Sequence, residues 1–249
     1  MKNILITGGS KGIGEQMVRE FAKRGHRVFF TYLSSAESSN ELVKSLHDEG
    51  YETVEAFRCD MGKESDVAGL FRLQRDKLKD IDILINNAAI RDATLLGKMR
   101  PFLMTSADGW WEVVHNNVNS VLNSCRCVLP SMLRRKDGRI INITSLAGIK
   151  GNAGQSAYSA SKAAISAFSR SLAKEIGQFG VTVNCVAPGF VRTGRTDEMP
   201  EQYFTDRVSR SLLKRMGTVE EIANLVCYLA LDAPAFLVDQ EIVIDGGNG

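Results

Sequence analysis

Tyr158 and Lys162 stand four residues apart in the run SAYSASKAA, residues 156–164. On a helix, positions i and i+4 share a face, so the phenol and the ammonium can be neighbours. A free tyrosine has a pKa near 10, too high to serve easily as both acid and base near neutrality. An adjacent ammonium favours the phenolate and lowers that pKa. Such a pair can give a proton to a substrate oxygen and take it back. The same spacing also suits a merely well-packed helix, so the rest of the chain has to place something reactive beside it.

A second stretch offers that something. ILITGGSKGIG (4–14) passes from an apolar run through glycines into a helical pattern. Gly8, Gly12 and Gly14 permit a tight turn and let backbone N–H groups approach a pyrophosphate at a helix N-terminus. The spacing is Gly-x-x-x-Gly-x-Gly rather than the more familiar Gly-x-Gly-x-x-Gly.

These residues need elements to hold them. Candidate strands are NILIT (3–7), RVFFTY (27–32), TVEAFRC (53–59), DILIN (82–86), RIINIT (139–144), VTVNCVA (181–187) and EIVID (241–245). Most are nearly continuous apolar runs, the pattern of strands buried on both faces of a parallel sheet. Helical periodicity fills the gaps at 12–24, 38–49, 63–79, 108–135, 155–178 and 219–231, and Thr218-x-x-Glu221 is a capping-box signal for the last. The pattern predicts an α/β fold: a single Rossmann-type doubly wound domain over 1–249, with about seven parallel strands and helices on both faces. The least regular stretches, about 88–107 and 189–212, follow strands. They are expected at the carboxyl edge of the sheet, where such folds bind ligands.

Composition narrows the partners. A net charge of +2 gives no reason to expect nucleic acid or a membrane surface. The run Arg134-Arg135-Lys136 reads as a solvated helix face. The five cysteines are scattered, and Cys125-x-Cys127 has no second pair to complete a zinc site, so neither disulfides nor a metal is expected. Reduced thiols fit the cytoplasm. The N-terminal run lacks a signal-peptide pattern, and no stretch is long and apolar enough to cross a bilayer.

Taken in order, the motifs resemble the short-chain dehydrogenase/reductase family over essentially the whole chain. TGGSKGIG (7–14) resembles its cofactor loop, CDM (59–61) its adenine-holding segment, and NNAA (86–89) its Asn-Asn-Ala-Gly strand end. NNVNS (116–120) resembles the segment with a catalytic Asn, INITSLAG (141–148) the segment with a catalytic Ser, and PGFVRT (188–193) the nicotinamide clasp. The resemblance implies Tyr158 as general acid, or base in reverse. It implies Lys162 as the group that lowers its pKa and binds the nicotinamide ribose, and Ser145 as the donor to the substrate oxygen. Asn117 would anchor a water that relays protons. It implies cofactor contacts from Gly8, Ser10, Lys11, Gly12, Ile13 and Gly14, and from Tyr32, Ser34, Asp60, Met61, Asn87 and Ala88. Further contacts come from Tyr158, Lys162, Pro188, Gly189, Val191 and Thr193. Among histidines, His26 and His47 read as surface residues and His115 as packed. Ser156, Ser159 and Ser161 read as helix-packing residues, although Ser159 or Ser161 could line the cofactor cleft.

The cofactor is read as NADP(H). NAD-selective enzymes place an acid at the end of the second strand, where this chain has Tyr32. No carboxylate follows until Glu37, while Lys11 offers a charge and Ser34 a hydroxyl to a 2′-phosphate. Within the family the chain resembles ketoreductases that act on 3-oxoacyl thioesters. An acyl substrate presented on acyl carrier protein is therefore implied, as is a homotetramer. Arg134, Arg135 and Lys136 could contribute to a basic docking patch near the cleft, although Phe179 stands where such reductases often have a basic residue. Segment 91–116 is longer than expected. In it, Trp110 or Trp111 reads as a core aromatic, and Phe102, Leu103 and Met104 as walls of an acyl pocket. Ala89, Gly194 and Asp239 also depart from the family pattern. The alternatives are a reductase of a free secondary alcohol, sugar or steroid-like ketone, and a cofactor-sensing protein without turnover. Enoyl reduction is disfavoured because those relatives space Tyr and Lys further apart.

Overall fold

The computed structural model describes residues 1–90, 101–197 and 201–248. Its strands are β1 (Asn3–Ile6), β2 (Arg27–Tyr32), β3 (Val54–Arg58), β4 (Ile83–Asn86), β5 (Gly138–Ile143), β6 (Val181–Pro188) and β7 (Glu241–Ile244). They form one sheet in the order β3-β2-β1-β4-β5-β6-β7, and every pairing is parallel. The order turns back between β1 and β4, which opens a crevice at their carboxyl ends.

Ten helices connect the strands among the described residues: α1 (Gly12–Lys23), α2 (Ala36–Asp48), α3 (Glu64–Leu73), α4 (Arg75–Leu78), α5 (Ala107–Arg135), α6 (Leu146–Lys150), α7 (Ser156–Ile176), α8 (Gly194–Asp197), α9 (Glu201–Arg210) and α10 (Val219–Cys227). Strand side chains alternate between two cores, as the pleat demands. Ile4, Ile6, Val28 and Phe30 join Met17, Phe21, Leu46 and Val226 under α1, α2 and α10. Leu5, Phe29, Leu84 and Val183 join Val121, Val128, Ile165 and Leu172 under α5 and α7. Both faces are thus covered, which explains the unbroken apolar strand runs.

The structure corrects several boundaries. The expected helix at 63–79 breaks at Gln74, whose φ of −106° and ψ of 30° leave the helical region, so it becomes α3 and α4. The expected helix at 219–231 ends at Cys227 and continues as a wider π turn, Tyr228–Asp232. Its start carries the capping box, with Thr218 and Glu221 bonding reciprocally. The short α6 has no periodicity long enough to be read from sequence. Part of the expected irregular stretch after β6 is helical, as α8 and α9. Residues 91–100 of the other stretch lie outside those described.

Beneath the carboxyl edge runs a buried polar seam. Asn86 Nδ2 donates to Asn142 Oδ1 at 2.8 Å, Asn142 Nδ2 donates to Ser169 Oγ at 2.7 Å, and Ser124 Oγ donates to Asn86 Oδ1 at 2.6 Å. These bonds tie β4, β5, α5 and α7 together directly under the strand ends that carry the candidate chemistry. Removing one member leaves its partners unsatisfied in a dry core. Asn142→Ala is therefore expected to lower unfolding free energy by about 2–4 kcal/mol in denaturant titrations.

Candidate active site

The glycine loop is fastened before it meets any ligand. Thr7 Oγ1 accepts the backbone N–H groups of both Asn87 and Ala88 at 3.0 Å. Asn87 Nδ2 returns bonds to Thr7 O at 3.1 Å and Gly8 O at 2.8 Å. Gly9 N–H donates to Thr31 O, so the loop also clasps the end of β2. Gly8 has φ of +68°, and a β-carbon on Gly14 would lie 2.1 Å from Gly8 O. The loop can therefore close only with glycine at both places. Lys11, extended at φ −151°, caps α1 without a side-chain cap bond and leaves the helix N-terminus facing the cleft.

Ser145 follows β5 and caps α6, its Oγ accepting Ala147 N–H at 3.2 Å. Because Oγ accepts that bond, its own proton is available to a substrate oxygen. On α7, Lys162 is only 3% exposed and donates from Nζ to Ile143 O at 2.7 Å. Its ammonium lies 5.7 Å from the centre of the Tyr158 ring. Tyr158 is buried against Val113 and Ala157, with Ile90 and Trp110 packed alongside.

Asn117 is completely buried on α5. Its Oδ1 accepts Ile90 N–H at 2.7 Å, and its Nδ2 donates to Ile90 O at 2.9 Å and Ser161 Oγ at 3.0 Å. Ser161 Oγ donates onward to Tyr158 O at 2.7 Å. Asn117 thus ties the chain after β4 to the tyrosine helix. Both amide protons are taken, so a water relay here would use the second lone pair of Oδ1 or the main-chain carbonyl.

A cleft of about 790 Å³ collects Lys11, Gly12, Ile13, Gly14, Asn87, Ser145, Tyr158, Lys162, Pro188, Gly189, Val191 and Thr193 on one wall system. Asn117, Gly8, Ser10 and Ala88 stand outside this lining, as do Tyr32, Ser34, Asp60 and Met61, which lie toward the β2 and β3 ends. Asp60 Oδ1 accepts Gly62 N–H, and the carboxylate pairs with Lys63 at 3.5 Å. Sequence reasoning missed Glu15, Ala89, Ile143, Thr144, Phe190, Gly194 and Thr196, which also line the cleft. Phe190 packs on Phe204 of α9, with ring centroids 5.9 Å apart, and under the Arg207 guanidinium at 5.4 Å. It also missed Glu241, whose Oε1 accepts Thr144 Oγ1 at 2.9 Å and Ser166 Oγ at 2.6 Å. An acidic residue heading an otherwise apolar strand was the available signal.

Other expectations change. His115 is exposed rather than packed, because it stacks on the exposed Trp111, with centroids 5.3 Å apart. Trp110 is the half-buried one of the pair, and its Nε1 donates to Ser156 Oγ at 3.1 Å. Phe102, Leu103 and Met104 are exposed, forming a 3₁₀ turn before α5. Ser159 Oγ is buried in helix packing. The run Arg134-Arg135-Lys136 does not lie near the cleft of its own chain. It ends α5 roughly 27 Å along the helix from Asn117. Arg135 there pairs with Asp80 and Asp82 and donates to Ile81 O, before the start of β4. That is the opposite edge of the sheet.

Thiol chemistry is absent from this site. Burial pushes Cys59, Cys125 and Cys227 up to about 12, and Cys185 to about 11. Among the described residues, no cluster of His, Cys, Asp and Glu could hold a metal, and no helix is long and apolar enough to cross a membrane.

Residues 8–248 match a family model described as enoyl-(acyl carrier protein) reductase. A 3-oxoacyl-[acyl-carrier-protein] reductase of Synechocystis is 36% identical, over 98% of this chain and 95% of that protein. The FabG reductase of Pseudomonas aeruginosa bearing the same description is also 36% identical, over 99% and 96%. The crystal structure of a Brucella melitensis 3-oxoacyl-[acyl-carrier protein] reductase superposes with a TM-score of 0.91 at 26% identity, over 99% of this chain and 90% of that one.

Gly14→Ala places a methyl group against the Gly8 carbonyl and Asn87 Nδ2. It is expected to weaken dinucleotide binding, measured by isothermal titration, at least about tenfold, a loss of 1.4 kcal/mol or more.

Proposed function

Because the chain belongs to the short-chain dehydrogenase/reductase family, we propose that it is an NADPH-dependent reductase of 3-oxoacyl thioesters, carried on acyl carrier protein. The observation that carries this reading is one cleft lined by Ser145, Tyr158 and Lys162 together with the glycine loop. The relatives' names supply the substrate class.

The residues fit a nicotinamide dinucleotide. The loop leaves no room for a β-carbon at Gly14, and the open α1 N-terminus suits a pyrophosphate. Gly12, Ile13 and Lys11 would hold the phosphates, and Lys162 the nicotinamide ribose. Pro188, Gly189, Val191 and Thr193 would hold the ring face. Tyr32 in the acid's place, with Lys11 and Ser34 nearby, favours a 2′-phosphate. When bound, the nicotinamide supplies the hydride for the carbonyl carbon.

The protein's share is the oxygen. Ser145 Oγ–H donates to the substrate carbonyl oxygen and stabilises charge that develops there. Tyr158 gives that oxygen its phenolic proton. The Lys162 ammonium, aimed by Ile143 O, favours the phenolate that remains. Asn117 holds Ile90 and, through Ser161, the backbone of Tyr158 in place.

Two broader readings accompany this one. Five thiols without a disulfide fit a cytoplasmic protein. The exposed apolar side chains of Phe236, ahead of β7, and Val243, on that edge strand, fit assembly into the homotetramer that the resemblance implies. One observation favours a second activity: the matching family model is described as an enoyl reductase. Enoyl reduction would deliver a proton to carbon, whereas Ser145 and Tyr158 form a pair suited to an oxygen.

A panel of carrier-linked, pantetheine-linked and free ketones, with an enoyl thioester, tests these readings using NADPH and NADH. Carrier-linked 3-oxoacyl substrate with NADPH is expected to give the highest kcat/KM. Tyr158→Phe is expected to lower kcat about 10²–10⁴-fold and Ser145→Ala about 10²–10³-fold, with cofactor affinity retained. Turnover confined to the enoyl thioester would refute ketone reduction.

A further inference from the structure

We infer that Arg58 is a 2′-phosphate clamp of this site and a principal determinant of its choice between NADPH and NADH. The inference rests on the NADPH reading above and deepens it.

In a doubly wound sheet, the adenosine ribose lies against the end of β2, and the residue there decides between a 2′-hydroxyl and a 2′-phosphate. Tyr32 takes that place, followed by Leu33 and Ser34. The next strand outward is β3, and its register sets Arg58 directly opposite Tyr32. Cys59 N–H donates to Tyr32 O at 2.9 Å, which locks the two strand ends side by side. The Arg58 guanidinium then turns across this junction, with Nε donating to Leu33 O at 3.2 Å. That bond fixes the fork over the backbone after β2 and leaves both terminal amino groups for another acceptor.

Its surroundings leave the charge to be answered by a ligand. Arg58 is exposed, and among the described residues its guanidinium meets a neutral carbonyl. Asp60, two residues on, is engaged by Gly62 N–H and Lys63. The glycine loop reaches the same place from the other side, through Gly9 N–H to Thr31 O and Gly8 N–H to Thr31 Oγ1 at 3.4 Å. The loop that carries Lys11 and the Arg58 guanidinium therefore both adjoin the end of β2. A planar guanidinium anchored at Nε presents its fork to a phosphate more specifically than a lysine does.

The test compares binding of adenosine 2′,5′-bisphosphate and adenosine 5′-phosphate by isothermal titration, in wild type, Arg58→Gln and Arg58→Lys. Circular dichroism confirms the fold of each variant. The expected result is a tenfold or greater loss for the bisphosphate in Arg58→Gln, a smaller loss in Arg58→Lys, and a change under twofold for the monophosphate. The NADPH-to-NADH ratio of kcat/KM should fall in parallel. Equal losses for both nucleotides, or none, would overturn the role of Arg58 while leaving the NADPH reading intact. A wild type that binds both nucleotides equally would overturn the NADPH reading, and this inference with it.

Discussion

The site is organised by a buried cation. Taking an ammonium out of water costs several kcal/mol unless fixed dipoles replace its hydration. Lys162 is met by the carbonyl of Ile143 at the last residue of β5. That bond requires α7 to press against the strand end, where Ile165, Leu172 and the Asn142–Ser169 bond also hold it. Gly148 on α6 permits the approach, since a β-carbon there would come within 2.9 Å of Lys162 Cβ. The small residues of SASKAA allow the same closeness along α7. Glu241 adds a carboxylate from β7, bonded to Thr144 beside Ser145 and to Ser166 one turn beyond Lys162. Two strands and two helices therefore meet around this one side chain.

The sheet supplies the other half of the arrangement. Parallel strands deliver their carboxyl ends to one edge, and the reversal between β1 and β4 leaves that edge open. Thr7 and Asn87 bridge the crevice at its floor with four hydrogen bonds. The glycine loop is shaped by its own strand ends, so little ordering remains for a ligand to impose.

Much of this is legible in the sequence because it is local or periodic. Continuous apolar runs such as DILIN and RIINIT mark strands covered on both faces, and the seven strands lie where those runs occur. The glycine loop and the Tyr158–Lys162 pair are also short-range patterns. What escapes is long-range register. Glu241 meets Thr144 across 97 positions, and Arg58 meets Leu33 only because β3 pairs with β2 in a particular alignment. The Arg134–Lys136 run was misplaced for a related reason. Sequence shows that it is on a helix, but only the length and direction of α5 reveal which end of the sheet it reaches. His115 and Trp111 stack on the solvent side, which periodicity did not separate from packing.

The polar seam under the strand ends has a consequence for how the chain folds. A fully parallel sheet is assembled entirely from distant segments, and such topologies fold slowly through many near-native alignments. Hydrophobic strands with two buried faces discriminate poorly between them, since a one-residue slip still buries apolar surface. Asn86, Asn142, Ser124 and Ser169 change that balance. Moving β5 by one residue past β4 would strand their amides and hydroxyls in hydrocarbon, at about 1–3 kcal/mol for each orphaned group. The seam thus favours the native alignment of the central strands over a one-residue slip, because only that alignment pairs all four polar groups.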